Sequence, residues 1–325
     1  MDNTVKMNVK YYNRTPSKSV DWLWYPYIPY GKITILQGDP GDGKSTFVLA
    51  LLSLISKGDG IPTLGVSFKQ SPVVYQNSED GIADTIVPRL TASGADLSNV
   101  AYIDEMLSPF CMGDDGIEYA IQKTNARVLV LDPLQAYFGD VDMNRASQVR
   151  QVFAKLARVA SEYNCAIILV GHMSKSFTQK GLYRGLGSID IPAAARSVLM
   201  ISKTPDDMRL LTPVKSNLAP LGKSIIFRIE PDFSIKWIKY SNISISQIMA
   251  EDFDGVTDSR NKVENAIEII RYCLASNITS AKQITDCCID NGISSRTIAK
   301  AKAELSIVSI KTKEGWIWQL GDKQE

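Results

Sequence analysis

The segment Gly38-Asp39-Pro40-Gly41-Asp42-Gly43-Lys44-Ser45 fits the pattern G-x-x-x-x-G-K-[ST]. Glycines spaced in this way let main-chain N–H groups curl around an anion with no side chain in the path. A helix that begins at the last glycine aims the positive end of its dipole at the same point. The chemistry implied is capture of the phosphate tail of a nucleotide. Gly38, Asp39, Pro40, Gly41, Asp42, Gly43, Lys44, Ser45 and Thr46 would line that tail. Lys44 would reach the outer phosphates, and the Ser45 hydroxyl would be a magnesium ligand. ATP and Mg2+ are therefore the expected cofactors.

Other chemically able residues fall at the ends of apolar runs, where a parallel sheet opens into a ligand crevice. Asp132 closes the run Val128–Leu131, and a carboxylate there can hold magnesium through water or Ser45. Glu79 and Asp80 follow the run Pro72–Asn77. A carboxylate near the terminal phosphate can orient and deprotonate a water, and the longer side chain makes Glu79 the choice. A solvated acidic turn is the competing reading. His172, the single histidine, follows the run Ala166–Val170. A hydrogen bond to the terminal phosphate would let it report the loss of that group to the loop that follows. Arg184 lies in the glycine-rich stretch Tyr183-Arg184-Gly185-Leu186-Gly187-Ser188 and is expected to be exposed and free to enter a neighbour's site. Arg196 and Lys215 are further candidates for a cation acting in trans.

These residues need a framework that brings strand ends together. Short β-branched runs at 32–37, 72–77, 99–103, 127–132 and 166–170 read as strands. Runs at 46–56 and 144–164 carry helical spacing. Strands alternating with helices predict a mostly parallel sheet covered on both faces, that is, an α/β fold. After Gly187 the rhythm changes to strands joined by turns at 197–201, 209–214, 224–229 and 234–238, which extends the sheet with antiparallel strands. Residues 21–31 are aromatic and turn-rich.

The division expected along the chain is an N-terminal arm over 1–20, an ATPase domain over 21–240, a polar linker over 241–262 and a small domain over 263–325. In that last part, helices over 263–276, 280–290 and 296–305 precede a hairpin over 307–320 turning at Lys313-Glu314-Gly315. Three helices and a hairpin make the winged-helix arrangement. Arg296, Lys300 and Lys302 on the third helix, with Lys311 and Lys313 on the hairpin, suit contacts to nucleic-acid phosphates. A purely structural or protein-binding winged helix with solvated charges is the alternative.

Composition sets wider bounds. The 325 residues are 45% apolar and 22% charged, with a net charge of +1. Any basic surface must therefore come from local clustering. No run of about 18 apolar residues offers a membrane span. Five scattered cysteines match neither a disulfide framework nor a zinc site and fit a reducing cytoplasm.

Taken together the motifs resemble RecA-like ATPases, and within them the hexameric DnaB-type and RepA-type helicases. The nearest likeness is to the RepA-like AAA-family ATPases of phages, plasmids and other mobile elements. The matching stretches are Ile35–Thr46, Gln76–Asp80, Val130–Gln135, Val170–Lys175, Arg184–Ser188 and Val214–Asn217, spread over about residues 20 to 240 in the family's order. The ending Gly315-Trp316-Ile317-Trp318 is also similar. The resemblance implies a nucleotide site between subunits of a ring, with Glu79 as catalytic base, His172 as phosphate sensor, Arg184 as the finger from the adjacent subunit and Lys215 as a second cation in trans. DnaB-type enzymes carry an arginine two residues after that lysine. Here the position is Asn217, as in the RepA-like branch. The implied partner is single-stranded DNA in a ring channel, lined by loops near residues 137–145 and 174–187, in a homo-oligomer that replicates a mobile element. Lys175 and Lys180, with Arg184, would suit such a channel. The competing reading is an ATP-switched regulator or initiator that binds duplex DNA through the winged helix.

Overall fold

The computed structural model describes residues 10–105, 110–143, 145–172, 190–204 and 206–243, and in the C-terminal part 263, 266, 267, 269–271, 273, 274, 279–290, 293–312 and 315–320. Residues 1–245 and 246–325 form separate compact units.

In the first unit the strands are β1 (Trp22–Trp24), β2 (Ile28–Pro29), β3 (Ile33–Gly38), β4 (Gly60–Ile61), β5 (Val66–Ser67), β6 (Val73–Asn77), β7 (Val100–Ala101), β8 (Val128–Asp132), β9 (Ala166–His172), β10 (Ser197–Lys203), β11 (Arg209–Ser216), β12 (Ser224–Ile229) and β13 (Ile235–Ser241). Nine of them make one sheet in the order β13-β12-β11-β10-β3-β9-β8-β6-β7. From β10 to β7 every pairing is parallel. From β10 outward to β13 every pairing is antiparallel. Numbered along the chain from β3, the six parallel strands lie in the order 6-1-5-4-2-3. This is the mostly parallel α/β sheet expected from the sequence, with the expected antiparallel extension.

Every residue of β3 and β8 is buried, as a sheet covered on both faces requires. Helix α1 (Lys44–Lys57) is apolar nearly all round and sits in the core with Leu36, Val73, Val130 and Ile168 of the sheet. It ends at Gly58, whose φ of 78° lets its N–H return to Leu54 and Ile55 carbonyls. Helices α2 (Val87–Ala92), α3 (Gly116–Thr124), α4 (Ala146–Tyr163) and α5 (Asp190–Ala194) complete the layer structure. In α4 the residues Val149, Val152, Phe153, Leu156, Val159 and Ala160 form the buried stripe.

Three local expectations change. The aromatic segment 21–31 is a small antiparallel pair, β1 with β2, that buries Trp24 and Tyr27. Trp24 packs against Phe47 of α1 and Trp237 of β13, with ring centroids 6.5 and 5.9 Å apart. The strand expected over 99–103 is only two residues long. Its continuation is intercepted by a side chain: Gln76 Oε1 accepts from Ile103 N at 2.8 Å and Gln76 Nε2 donates to Ile103 O at 3.1 Å. The first helix begins at Lys44 rather than Thr46, because Gly43 takes the left-handed turn that starts it. Residues 10–20 of the arm are exposed, with one turn at Tyr12–Arg14.

In the second unit, helical residues between Val263 and Leu274 precede α6 (Ala281–Asp290), α7 (Ser295–Glu304) and the hairpin β14 (Ile307–Thr312) with β15 (Gly315–Leu320). Ser294 caps α7 by accepting from Thr297 N. Ile270, Ile284, Ile298, Leu305 and Trp318 form a core of their own. Lys313, and residues 244–262 of the expected linker, lie outside the described residues.

Candidate functional site

The loop from Gly38 to Gly43 leaves the carboxyl end of β3 and turns directly into α1. Gly41 and Gly43 have φ of 85° and 88°, a region that residues with a Cβ resist. A Cβ on Gly43 would also stand 2.3 Å from Ile229 Cδ1, and one on Gly38 2.4 Å from the carbonyl of Ile201. Gly38 is thus required by the close main chain of β10 and Gly43 by its left-handed φ, and both leave the main chain open to a ligand.

The loop is closed on itself. Asp42 Oδ2 accepts from Asp39 N at 2.8 Å, and Lys44 Nζ donates to the carbonyls of Gly38 and Asp39 at 3.0 and 2.8 Å. Lys44 is buried, and that burial, opposed by Asp42, Asp132, Asp39 and Glu79, holds its ammonium below the ordinary lysine range. Asp132 is 1% exposed at the end of β8, and burial raises its carboxyl above the ordinary range against hydrogen bonds from Ser45 and Tyr75. The Tyr75 hydroxyl donates to Asp132 Oδ2 at 2.9 Å.

Glu79 lies just beyond β6, and its Oε1 stands 3.6 Å from His172 Nε2 at the end of β9. His172 pairs with Gly38 in the sheet, and its Nδ1 is buried without a hydrogen-bond partner among the described residues. The fold therefore brings Lys44, Ser45, Glu79, Asp132 and His172 together at the carboxyl ends of the interior strands, beside the phosphate loop Gly38–Thr46. Magnesium fits this donor set. A hydroxyl and a carboxylate are the hard oxygen ligands it prefers, and it binds through few protein groups. Asp39, Asp42, Glu79 and Asp132 also crowd negative charge around Lys44, so a divalent cation would favour the joining of a polyphosphate.

Other expected residues fall elsewhere. Arg184 lies outside the described residues, as do Lys175 and Lys180. Lys215 is committed to its own chain: Nζ donates to the carbonyls of Pro192, Ala193 and Ala195 at 2.9, 3.0 and 2.9 Å, capping the end of α5. A neighbour's phosphate would have to compete with those bonds. Arg196 is exposed. In the second unit Arg296 and Lys300 are exposed one turn apart on α7, and Lys311 is exposed on β14. Lys302 turns inward instead, donating to Ser309 Oγ at 2.5 Å and lying 5.0 Å from the Trp318 ring centroid. Its ammonium is thus held by the hairpin and is less open to a nucleic acid than its helical neighbours.

Arg209 carries no signal in the sequence. It is 9% exposed at the start of β11, and its Nε donates to the Asp42 carbonyl at 3.0 Å. Its Nη1 is anchored on the carbonyls of Asp207 and Met208. The antiparallel extension thereby clamps the tip of the phosphate loop. Arg209→Ala removes a charged hydrogen bond of about 1.5–3 kcal/mol. The ATP concentration for half-maximal turnover, measured in steady-state hydrolysis, should then rise about tenfold or more.

A family model described as an AAA domain matches residues 8–177. The DNA repair protein RadA of Bacillus subtilis is 29% identical over 148 residues, covering 45% of this chain and 28% of that protein. RadA of Listeria monocytogenes is 31% identical over 153 residues, 45% of this chain and 28% of that protein. The DNA repair and recombination protein RadB of Methanosphaera stadtmanae is 23% identical over 224 residues, 66% of this chain and 91% of that protein. The chain matches less than a third of the length of these RadA relatives. Among solved structures, the ATPase domain of G40P superposes with a TM-score of 0.49 and 14% identity, over 65% of this chain and 85% of that chain.

Proposed function

The chain belongs to the AAA-domain family, and from that premise we propose that it is an ATP-hydrolysing, DNA-associated motor of the RepA-like type, acting as a ring-shaped homo-oligomer on single-stranded DNA in replication of a mobile element. The observation that carries the reading is the gathering of Lys44, Ser45, Glu79, Asp132 and His172 around one glycine loop.

In this reading the loop's main-chain N–H groups and the α1 terminus hold the phosphates. Lys44 exchanges its two loop carbonyls for phosphate oxygens. Magnesium, when bound by Ser45 and Asp132, neutralises phosphate charge. Glu79 accepts a proton from the attacking water as the new P–O bond forms and the bond to the ADP oxygen breaks. His172, beside Glu79, registers whether the terminal phosphate is present and passes that state to the chain that follows β9. Arg184 of a neighbouring subunit stabilises charge on the transferring group. The likeness to RadA and RadB, both named for DNA repair, supports DNA as the partner.

The test is ATP hydrolysis with and without single-stranded DNA, alongside mass measurement with a non-hydrolysable nucleotide. A severalfold rate increase that weakens with salt, and a closed oligomer, are expected. ATPase activity indifferent to every DNA tested, in a monomer, would count against the motor. Exposure of Arg296 and Lys300 on α7 favours a second reading, an ATP-switched regulator that binds duplex DNA. Sequence-specific footprinting that survives Lys44→Ala and is lost on deleting residues 260–325 would select it.

A further inference from the structure

What orients the metal-binding acid lies outside the loop motif. Strands β6 and β8 run parallel with Asn77 paired to Asp132 and Tyr75 paired to Val130. Paired residues, and residues two apart, point to the same face of a sheet. Tyr75, Asn77 and Asp132 therefore share one face, and Tyr75 packs in the apolar core that includes Phe47 and Leu51 of α1.

The hydrogen bonds along this face have a single possible direction. Asn77 Oδ1 accepts from the main-chain N–H of Glu79 at 2.9 Å and of Asp80 at 2.6 Å. Those two bonds fix which end of the amide is oxygen. Asn77 Nδ2 then donates to Tyr75 Oη at 3.2 Å. With its lone pair so engaged, the Tyr75 hydroxyl donates to Asp132 Oδ2 at 2.9 Å. Tyr75 is 3% and Asp132 1% exposed, so bulk water competes poorly for either group. The main chain adds a parallel tie, Ser78 N to the Asp132 carbonyl at 3.3 Å.

We propose that Tyr75 and Asn77 are positioning residues: they lock the Asp132 carboxylate in one orientation and tie it to the turn that carries Glu79, so that metal-binding acid and base are set as one unit. The inference rests on the ATPase reading above. One Asp132 oxygen is spent on Tyr75, which leaves the other side of the carboxylate for the metal and Ser45. Chains in which each donor has one acceptor are rigid, and outer partners of metal ligands typically set metal affinity or activity by about 10–100-fold.

The experiment compares Tyr75→Phe and Asn77→Ser with the unaltered chain. Mn2+ binding in the presence of ADP is followed by electron paramagnetic resonance, and ATP hydrolysis is followed over a Mg2+ series. Tyr75→Phe keeps the ring and deletes the hydroxyl, so half-saturating metal should rise about tenfold in both assays, while ADP affinity in EDTA stays unchanged. Asn77→Ser can still accept from the turn but no longer reaches Tyr75. It should shift metal dependence in the same direction by a smaller factor and lower kcat. A merely structural role would move the melting midpoint and leave metal dependence alone, and that result overturns the proposal. If Tyr75→Phe does not fold, the Asn77→Ser titration decides by itself, an unshifted curve overturning the relay. If the unaltered chain neither binds Mn2+–ADP nor hydrolyses ATP, the ATPase reading has failed and takes the relay with it.

Discussion

Lys44→Ala is expected to reduce ATP turnover by a factor on the order of 10^3, the scale for losing a preorganised charge from a phosphoryl-transfer site. The residue is 4% exposed and already meets two loop carbonyls at 3.0 and 2.8 Å, so it needs no large movement to meet phosphate oxygens instead. Alanine leaves Asp39, Asp42, Glu79 and Asp132 with no lysine among them. Nucleotide affinity should fall along with turnover, because repulsion acts on the bound ground state as well as on the transition state. The fold should persist, and the sign follows from burial. A lysine whose ammonium is held below its unfolded range binds protons less well in the folded state, so its charged form costs stability at neutral pH. Removing it removes that cost. Hydrolysis assays, nucleotide binding and a thermal melt on the same preparation check all three statements. Substantial turnover in a folded Lys44→Ala protein would remove the phosphate-loop assignment.

Glu79→Gln is expected to separate chemistry from binding. General-base catalysis contributes about 10^2–10^4-fold, and the amide cannot take the proton. Unlike Lys44, Glu79 has a half-exposed side chain beyond the strand end, 58% accessible, and holds no loop carbonyl. Its position is set instead by the main chain, through the bond from its N–H to Asn77 Oδ1 at 2.9 Å. The glutamine variant should therefore bind ATP as tightly as the unaltered chain and accumulate it unhydrolysed. Single-turnover kinetics with labelled ATP distinguishes this from a binding defect. A drop in affinity equal to the drop in rate would place Glu79 in binding rather than in proton transfer.

The parts of this site legible in the sequence are those in which the chemistry is contiguous. Gly38 to Ser45 places glycines, lysine and serine within one turn, and the apolar runs on either side identify β3 and α1. Asp132 and His172 are readable as strand ends because β8 and β9 are continuous apolar runs up to those residues. What could not be read depends on register or on distant returns of the chain. Tyr75 meets Asp132 only because β6 and β8 align Asn77 with Asp132. Arg209 reaches the Asp42 carbonyl only because β11 folds back beside the loop, 167 residues further on. Lys215 has the composition of a free cation, and the end of α5 decides otherwise. Lys302 matched Arg296 and Lys300 by type and spacing, yet Ser309 and Trp318 on the neighbouring hairpin draw it inward. The truncated β7 has a similar cause, since one glutamine side chain supplies the bonds a strand partner would have made.

Calorimetric titration of the unaltered chain with ATP, in Mg2+ and again in EDTA, reads the metal–nucleotide site itself. One saturable site per chain is expected, with affinity lowered by chelation and by Asp132→Ala. Flat heats in Mg2+, or binding indifferent to both chelation and Asp132→Ala, would mean that the glycine loop and the buried acid do not form a metal–nucleotide site.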